Sequence, residues 1–294
     1  MTDKKEKSLA RGLLEERGLA EEAFASPAFQ NLKDKSKRVN IDGEEMYIVE
    51  GDLLLDEDEL AVYALQRETL KEVQQRAQEV GLAPLLQPDA KELVGHLVAG
   101  KLIRWRPGQE LTYCVLKGTF QNEQRYQLVR NNVEKAVADW QNNCGVTFRH
   151  VAELDDSPGT ANPGVLFTVR EFDSRGQFIA AAFFPGDPKN RRRMLIDRTQ
   201  YFDDSPGGFD KVGILRHELG HVLGFRHEHI RSEAPAICPD EDPGMDLTAY
   251  DPQSVMHYFC GGVGSRLLAI TELDKIGSQR LYGPSFNDVQ YADV

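Results

Sequence analysis

The chain has 294 residues, of which 40% are hydrophobic and 28% charged, with a formal net charge of −12. That composition is ordinary for a folded globular chain and excludes wholesale disorder and a collagen-like fibre. The acidic balance argues against nucleic acid as a partner. No run approaches the ~18 apolar residues needed to span a membrane, so no membrane association is expected.

The opening residues, MTDKKEKSLARGLLEERGLAEEAF, carry basic side chains but no apolar run of ~7–15 residues. They imply a cytoplasmic protein, or one exported without a conventional signal peptide. Charge then divides the chain. Residues 1–100 hold 13 basic and 21 acidic side chains, against 22 and 26 over the remaining 194. All four cysteines and six of the seven histidines follow residue 100. Two units are therefore expected, an acidic preface over 1–100 and a second domain over 101–294. Within the preface, 59–80 reads as a helix, and Gly51-Asp52 breaks the apolar run before it.

Beyond the preface the pattern alternates. Strands are predicted at 111–116, 146–151, 164–172, 178–185 and 193–197. A helix is predicted over 123–143, where Tyr126, Val129, Val133, Val137 and Trp140 recur at three- to four-residue spacing. A second helix runs over 205–224. About 70 residues of little regular structure follow, closed by a short helix that starts at Thr271 with Asp274 three residues on and stops by Gly283. Such alternation implies an α/β or α+β domain with a mostly parallel sheet.

The chemistry lies at 217–227, HELGHVLGFRH. His217 and His221 are four residues apart and share one face of a helix. Gly224 lets the chain leave the helix without Cβ strain, and His227 can return as a third ligand. Three imidazoles leave one position of a tetrahedral zinc open, as catalysis requires. Glu218, beside the first ligand, is placed as general base. Given the first five residues, Gly224 and His227 would both arise by chance roughly once in 500 at this composition (cf.). One catalytic zinc is expected.

The HExxHxxGxxH pattern, followed by the methionine-containing turn YDPQSVMHY at 250–258, resembles the metzincin zinc proteases. The resemblance implies a five-stranded, mostly parallel twisted sheet with an antiparallel edge strand and two long helices. It also implies an irregular C-terminal subdomain holding the Met-turn and a terminal helix. It puts Met256 beneath the metal. Glu228 after the third histidine and the SVMHY turn look like the astacin family, which makes Tyr258 a mobile zinc ligand and oxyanion stabiliser, and Glu228 an anchor for a new N-terminus. Val49-Glu50-Gly51-Asp52 resembles the astacin pro-segment switch, which makes Asp52 the metal ligand of a latent precursor. FIAAAFFP (178–185) resembles the matrixin edge strand that binds extended peptide, and 270–283 resembles the matrixin terminal helix. The implied protein is a monomeric zinc endopeptidase acting on proteins or peptides. The competing reading is a non-catalytic zinc protein, peptide-binding or regulatory, which has no need of Glu218.

Other residues receive plainer readings. Cys238 and Cys260, and Cys114 and Cys144, are placed to pair, whereas a reducing compartment would leave all four free. His229 and His257 orient the site or face solvent, and His96 and His150 are surface or structural. Arg191–Arg193 is a solvated loop run or a nicking site. The acidic runs 56–59 and 240–242 lack the spacing of an EF-hand.

Overall fold

A computed structural model describes residues 9–79, 93–98, 101–205, 207–230, 234–235, 245–246, 248 and 250–286. Three short helices open it, α1 (Leu9–Glu16), α2 (Ala20–Ala25) and α3 (Pro27–Lys35). An antiparallel sheet comes next, of β1 (Lys37–Ile41), β2 (Glu44–Val49) and β3 (Leu53–Leu55). Helix α4 (Glu57–Glu79) succeeds it. Its start is a capping box: Asp56 Oδ1 accepts from the Glu59 amide and Glu59 Oε2 from the Asp56 amide, both at 2.8 Å. The acidic run at 56–59 thus serves as a helix start.

Strands β4 (Val94–Gly95), β5 (Leu97–Val98) and β6 (Lys101–Leu102) follow, and β5 pairs with β6. Leu93 lies in the main core. β4 pairs with β12 (Met245–Asp246), and the His96 amide donates to the Gly224 carbonyl at 2.7 Å.

The central sheet contains β7 (Glu110–Val115), β8 (Thr147–His150), β9 (Phe167–Phe172), β10 (Ala180–Ala181) and β11 (Arg193–Asp197), in the order β10-β11-β9-β7-β8. All pairings are parallel except that of β10, which forms an antiparallel edge. The fold is therefore the five-stranded, mostly parallel arrangement expected. The predicted strand over 178–185 shrinks to Ala180–Ala181. Phe184 and Asp187 bond each other across a turn at 3.1 Å, which draws the chain away from the sheet after Ala182.

Helix α5 (Glu123–Asn143) matches its predicted span, and Asn122 caps it by accepting from the Arg125 amide. Helix α6 (Lys211–Val222) is capped by Asp210, and the Thr271–Asp274 capping box starts α7 (Glu272–Tyr282) as predicted. Strand alternation sends Phe167, Val169, Met194 and Ile196 to one face of the sheet, into a core with Trp140, Leu215 and Leu219 from α5 and α6. The other face, with Leu195, Ala181 and Phe178, packs against Val39, Ile41, Met46 and Ile48 of the β1–β2 hairpin.

The expected Cys114–Cys144 bond is absent: both thiols are free and buried. Strand alternation turns Cys114 into a small cluster with Leu116, Val151 and Val165, whereas Cys144, just after α5, sits in the main core. Cys260 is disulfide-bonded; its expected partner Cys238 lies outside the described residues, as does the acidic run 240–242. No helix among the described residues is long and apolar enough to cross a membrane.

Candidate metal centre and active site

Helix α6 carries His217, Glu218 and His221, all buried. Trp140 Nε1 donates to the Arg216 carbonyl and Trp105 Nε1 to that of Val222, tying the middle and the C-terminal end of the helix to the core. Gly224 then turns the chain at φ 92°. A Cβ there would lie 2.8 Å from the Ile103 carbonyl oxygen, so glycine is required twice over. The turn brings His227 back beside His217, their Nε2 atoms 3.1 Å apart.

Each ring is aimed through its other nitrogen. Nδ1 of His217 donates to the Val255 carbonyl, that of His221 to the Phe225 carbonyl and that of His227 to Glu50 Oε2, each at 2.8 Å. All three Nε2 lone pairs are therefore free to converge on one point. At that point lies Asp52, from the far end of the chain. Its carboxylate is 3.1 Å from His227 Nε2, 3.4 Å from His217 Nε2 and 3.8 Å from His221 Nε2. Three imidazoles and one carboxylate, all buried and mutually within 4.8 Å, form a tetradentate donor set. Asp52 Oδ1 and His221 Nε2 have no hydrogen-bond partner among the described residues. Uncompensated buried polar atoms are costly, and a divalent zinc satisfies both with the ligand types it favours. The residues present fit the ion.

The electrostatics agree. Burial alone would raise the Asp52 carboxyl, but the imidazoles of His227, His217 and His221 outweigh it and hold it well below the usual range. Burial alone would depress His227, but Asp52 and Glu50 push it up to about 9, so without metal the ring holds a proton that a bound ion would displace. Burial, then the Asp52 charge, lifts Glu218 well above the ordinary carboxyl range.

Tyr258 stacks on His217 and His229, and a Cβ on Gly51 would approach its ring to 3.1 Å. Gly51, at φ 99°, is thus needed for the close approach that delivers Asp52. Met256 is fully buried beneath the helix; a Cβ on Gly220 would meet its sulfur at 2.3 Å. Glu228 is buried and accepts from the Asp251 amide at 2.9 Å. His229 and His257 are both buried rather than solvent-facing.

Two contributors were not anticipated. Glu50 binds His227 and Arg226 at once and also accepts from Tyr63 at 3.0 Å. Asp274 accepts from Ser254 Oγ at 2.6 Å and from the Val255 amide at 2.8 Å, so α7 holds the turn whose carbonyl orients His217. Away from the centre one expectation is corrected: Arg191 and Arg193 are buried, not solvated or open to nicking. Arg191 reaches Asp56 at 2.6 Å and Glu59 at 2.9 Å, and Arg170 and Arg193 both face Asp42. Arginines in a run read as surface until the acidic stretch that neutralises them is known.

A parallel sheet with an antiparallel edge, a three-histidine centre closed by a glycine turn, and a methionine beneath it together define a metzincin. Residues 104–260 match the matrixin family, peptidase family M10, and the chain belongs to it. Among relatives it is 31% identical to matrix metalloproteinase-2 of Drosophila melanogaster over 134 residues, 39% of this chain and 17% of that one. It is 32% identical to stromelysin-1 of Equus caballus over 123 residues, 40% of this chain and 24% of that one. The chain thus spans about a fifth of the length of these curated relatives. The solved structure of myroilysin aligns with a TM-score of 0.41 at 22% identity, covering 61% of this chain and 95% of that one.

Proposed function

We propose that the chain is a zinc-dependent endopeptidase held latent by its own N-terminal segment, with a metal centre of astacin type on a matrixin sheet. The observation that carries this reading is the Asp52 carboxylate inside the three-histidine cluster, with an intact Glu218 beside it. His217, His221 and His227 would hold the zinc, with Asp52 as fourth ligand in the latent form. When bound, the ion supplies Lewis acidity, which acidifies water and polarises a carbonyl.

The chain's own residues supply the rest. Glu218 takes a proton from the attacking water and delivers it to the leaving amine. Tyr258, freed of Gly51 and Asp52, donates its phenol to the oxyanion. The protein or peptide substrate adds to the β10 edge in extended form. An apolar cavity of about 340 Å³, lined by Phe178, Phe209, Ile214 and Leu268 next to His217 and Glu218, receives one of its side chains. Glu228 anchors the new N-terminus. Leu93 packs in the main core, so we place the activating cut between residues 79 and 93. The working enzyme is a monomer, and the disulfide at Cys260 fits an oxidising compartment.

The test is activity of the zinc-replete, uncut chain on casein before and after processing, with Asp52→Ala alongside. The uncut chain should be nearly silent, the processed chain active once its N-terminal fragment has been separated from it, and Asp52→Ala active without any cut. An intact chain, shown uncut by mass spectrometry, that digests casein as fast as the processed one would end the latency reading.

A further inference from the structure

Arg170, Arg191 and Arg193 take no part in the metal centre, yet all three are buried. On β9 and β11, alternation turns Arg170, Phe172, Arg193 and Leu195 to the face opposite α5 and α6. A parallel sheet requires cover on both faces, and here the β1–β2 hairpin provides it. At the hairpin tip Asp42 accepts from Arg170 at 2.6 Å and lies 3.5 Å from Arg193. Arg191 donates to Asp56 and Glu59, with Glu44 at 3.9 Å. Three buried guanidiniums thus meet four carboxylates of residues 42–59, around an apolar patch of Val39, Ile41, Met46 and Ile48 on Phe178, Ala181 and Leu195.

We propose that this face is a docking surface for an acidic, apolar-flanked extended polypeptide, distinct from the metal centre. Its resident occupant, residues 37–59, stays bound as a separate fragment after the chain is cut between residues 79 and 93. The inference rests on the latency proposed above. A cut there removes connectivity but none of these contacts. Departure of the hairpin would bare the sheet face and strip the arginines of their partners, and large exposed apolar patches are disfavoured. The cut therefore converts a tethered contact into a bimolecular one. Release follows from dilution, or from an acidic segment of substrate competing for the same arginines.

The experiment uses the full, zinc-replete chain with a specific protease site inserted between residues 80 and 92. After complete cutting, the products are followed by size exclusion and by hydrolysis of a short peptide over a dilution series. The two fragments should co-elute and be silent when concentrated, and activity should appear on dilution. Asp42→Asn combined with Asp56→Asn should move the midpoint to a concentration at least about tenfold higher. Asn suits the φ of 55° at residue 42 and caps α4 as Asp does. Fragments that separate at once, with activity rising in step with cutting, would overturn the inference. So would a double variant with an unchanged midpoint. If the fully diluted, cut chain hydrolyses nothing, the peptidase reading has failed, while co-elution still decides the docking surface.

Discussion

Glu218 is the side chain on which hydrolysis should turn. It lies buried on α6 beside two of the histidines, and its Oε2 accepts from no group among the described residues. Because the three imidazoles supply the metal donors without it, Glu218→Gln should keep both fold and zinc. Loss of a general base typically costs ~10²–10⁴ in rate, so activity of the processed enzyme should fall at least about 100-fold at unchanged metal content. Metal analysis beside peptide hydrolysis checks both halves. Loss of zinc in this variant would make Glu218 a ligand rather than a base.

At the scale of elements, the packing of α6 on the methionine turn is tight enough to dictate Gly220. Alanine there gains ~0.5–1 kcal/mol of helix propensity. The added methyl would fall 2.3 Å from the Met256 sulfur, with Trp140 at 3.5 Å on its other side. Overpacking of this kind costs ~1–3 kcal/mol. Gly220→Ala should therefore lower stability by about 1–2 kcal/mol, read as a shifted denaturation midpoint. Features of this scale were also the legible ones. Helix α5 and the HELGHVLGFRH segment announce themselves through local spacing, and the Thr271–Asp274 box through a three-residue offset. Glu50, Arg191 and Arg193 were opaque for the opposite reason. Glu50 meets His227 across 177 positions and Arg191 meets Asp56 across 135, and no local pattern encodes such pairings. Cys114 was misjudged because adjacency of strands was weighed without the alternation that sends its side chain to the other face.

For the molecule as a whole, pH should act where the N-terminal residues 42–59 meet the central sheet. Asp187 shares Arg191 with Asp56 and Glu59; burial raises it to about 6 from an ordinary 3.8, and Glu59 is raised well above its usual range. A carboxyl raised in the folded state binds more protons there than in the unfolded one, so stability declines as pH rises from about 4 through about 6. Asp187→Asn removes Asp187's share of that slope. The variant should gain up to about 2 kcal/mol on the unaltered chain across this window, measured by denaturant unfolding at each pH. The hairpin over the sheet carries a consequence for the order of events at birth as well. Residues 37–55 pair among near neighbours, so the hairpin can form early, whereas Arg170 must come 128 positions to reach Asp42. The N-terminal segment leaves the ribosome first and offers a finished surface on which β9 and β11 can assemble. A catalytic unit denatured and returned to native conditions alone should regain activity slowly and in low yield, and adding the N-terminal fragment during refolding should raise the yield recovered once that fragment is removed. The segment we propose as the inhibitor would then also be the template on which the sheet is laid down.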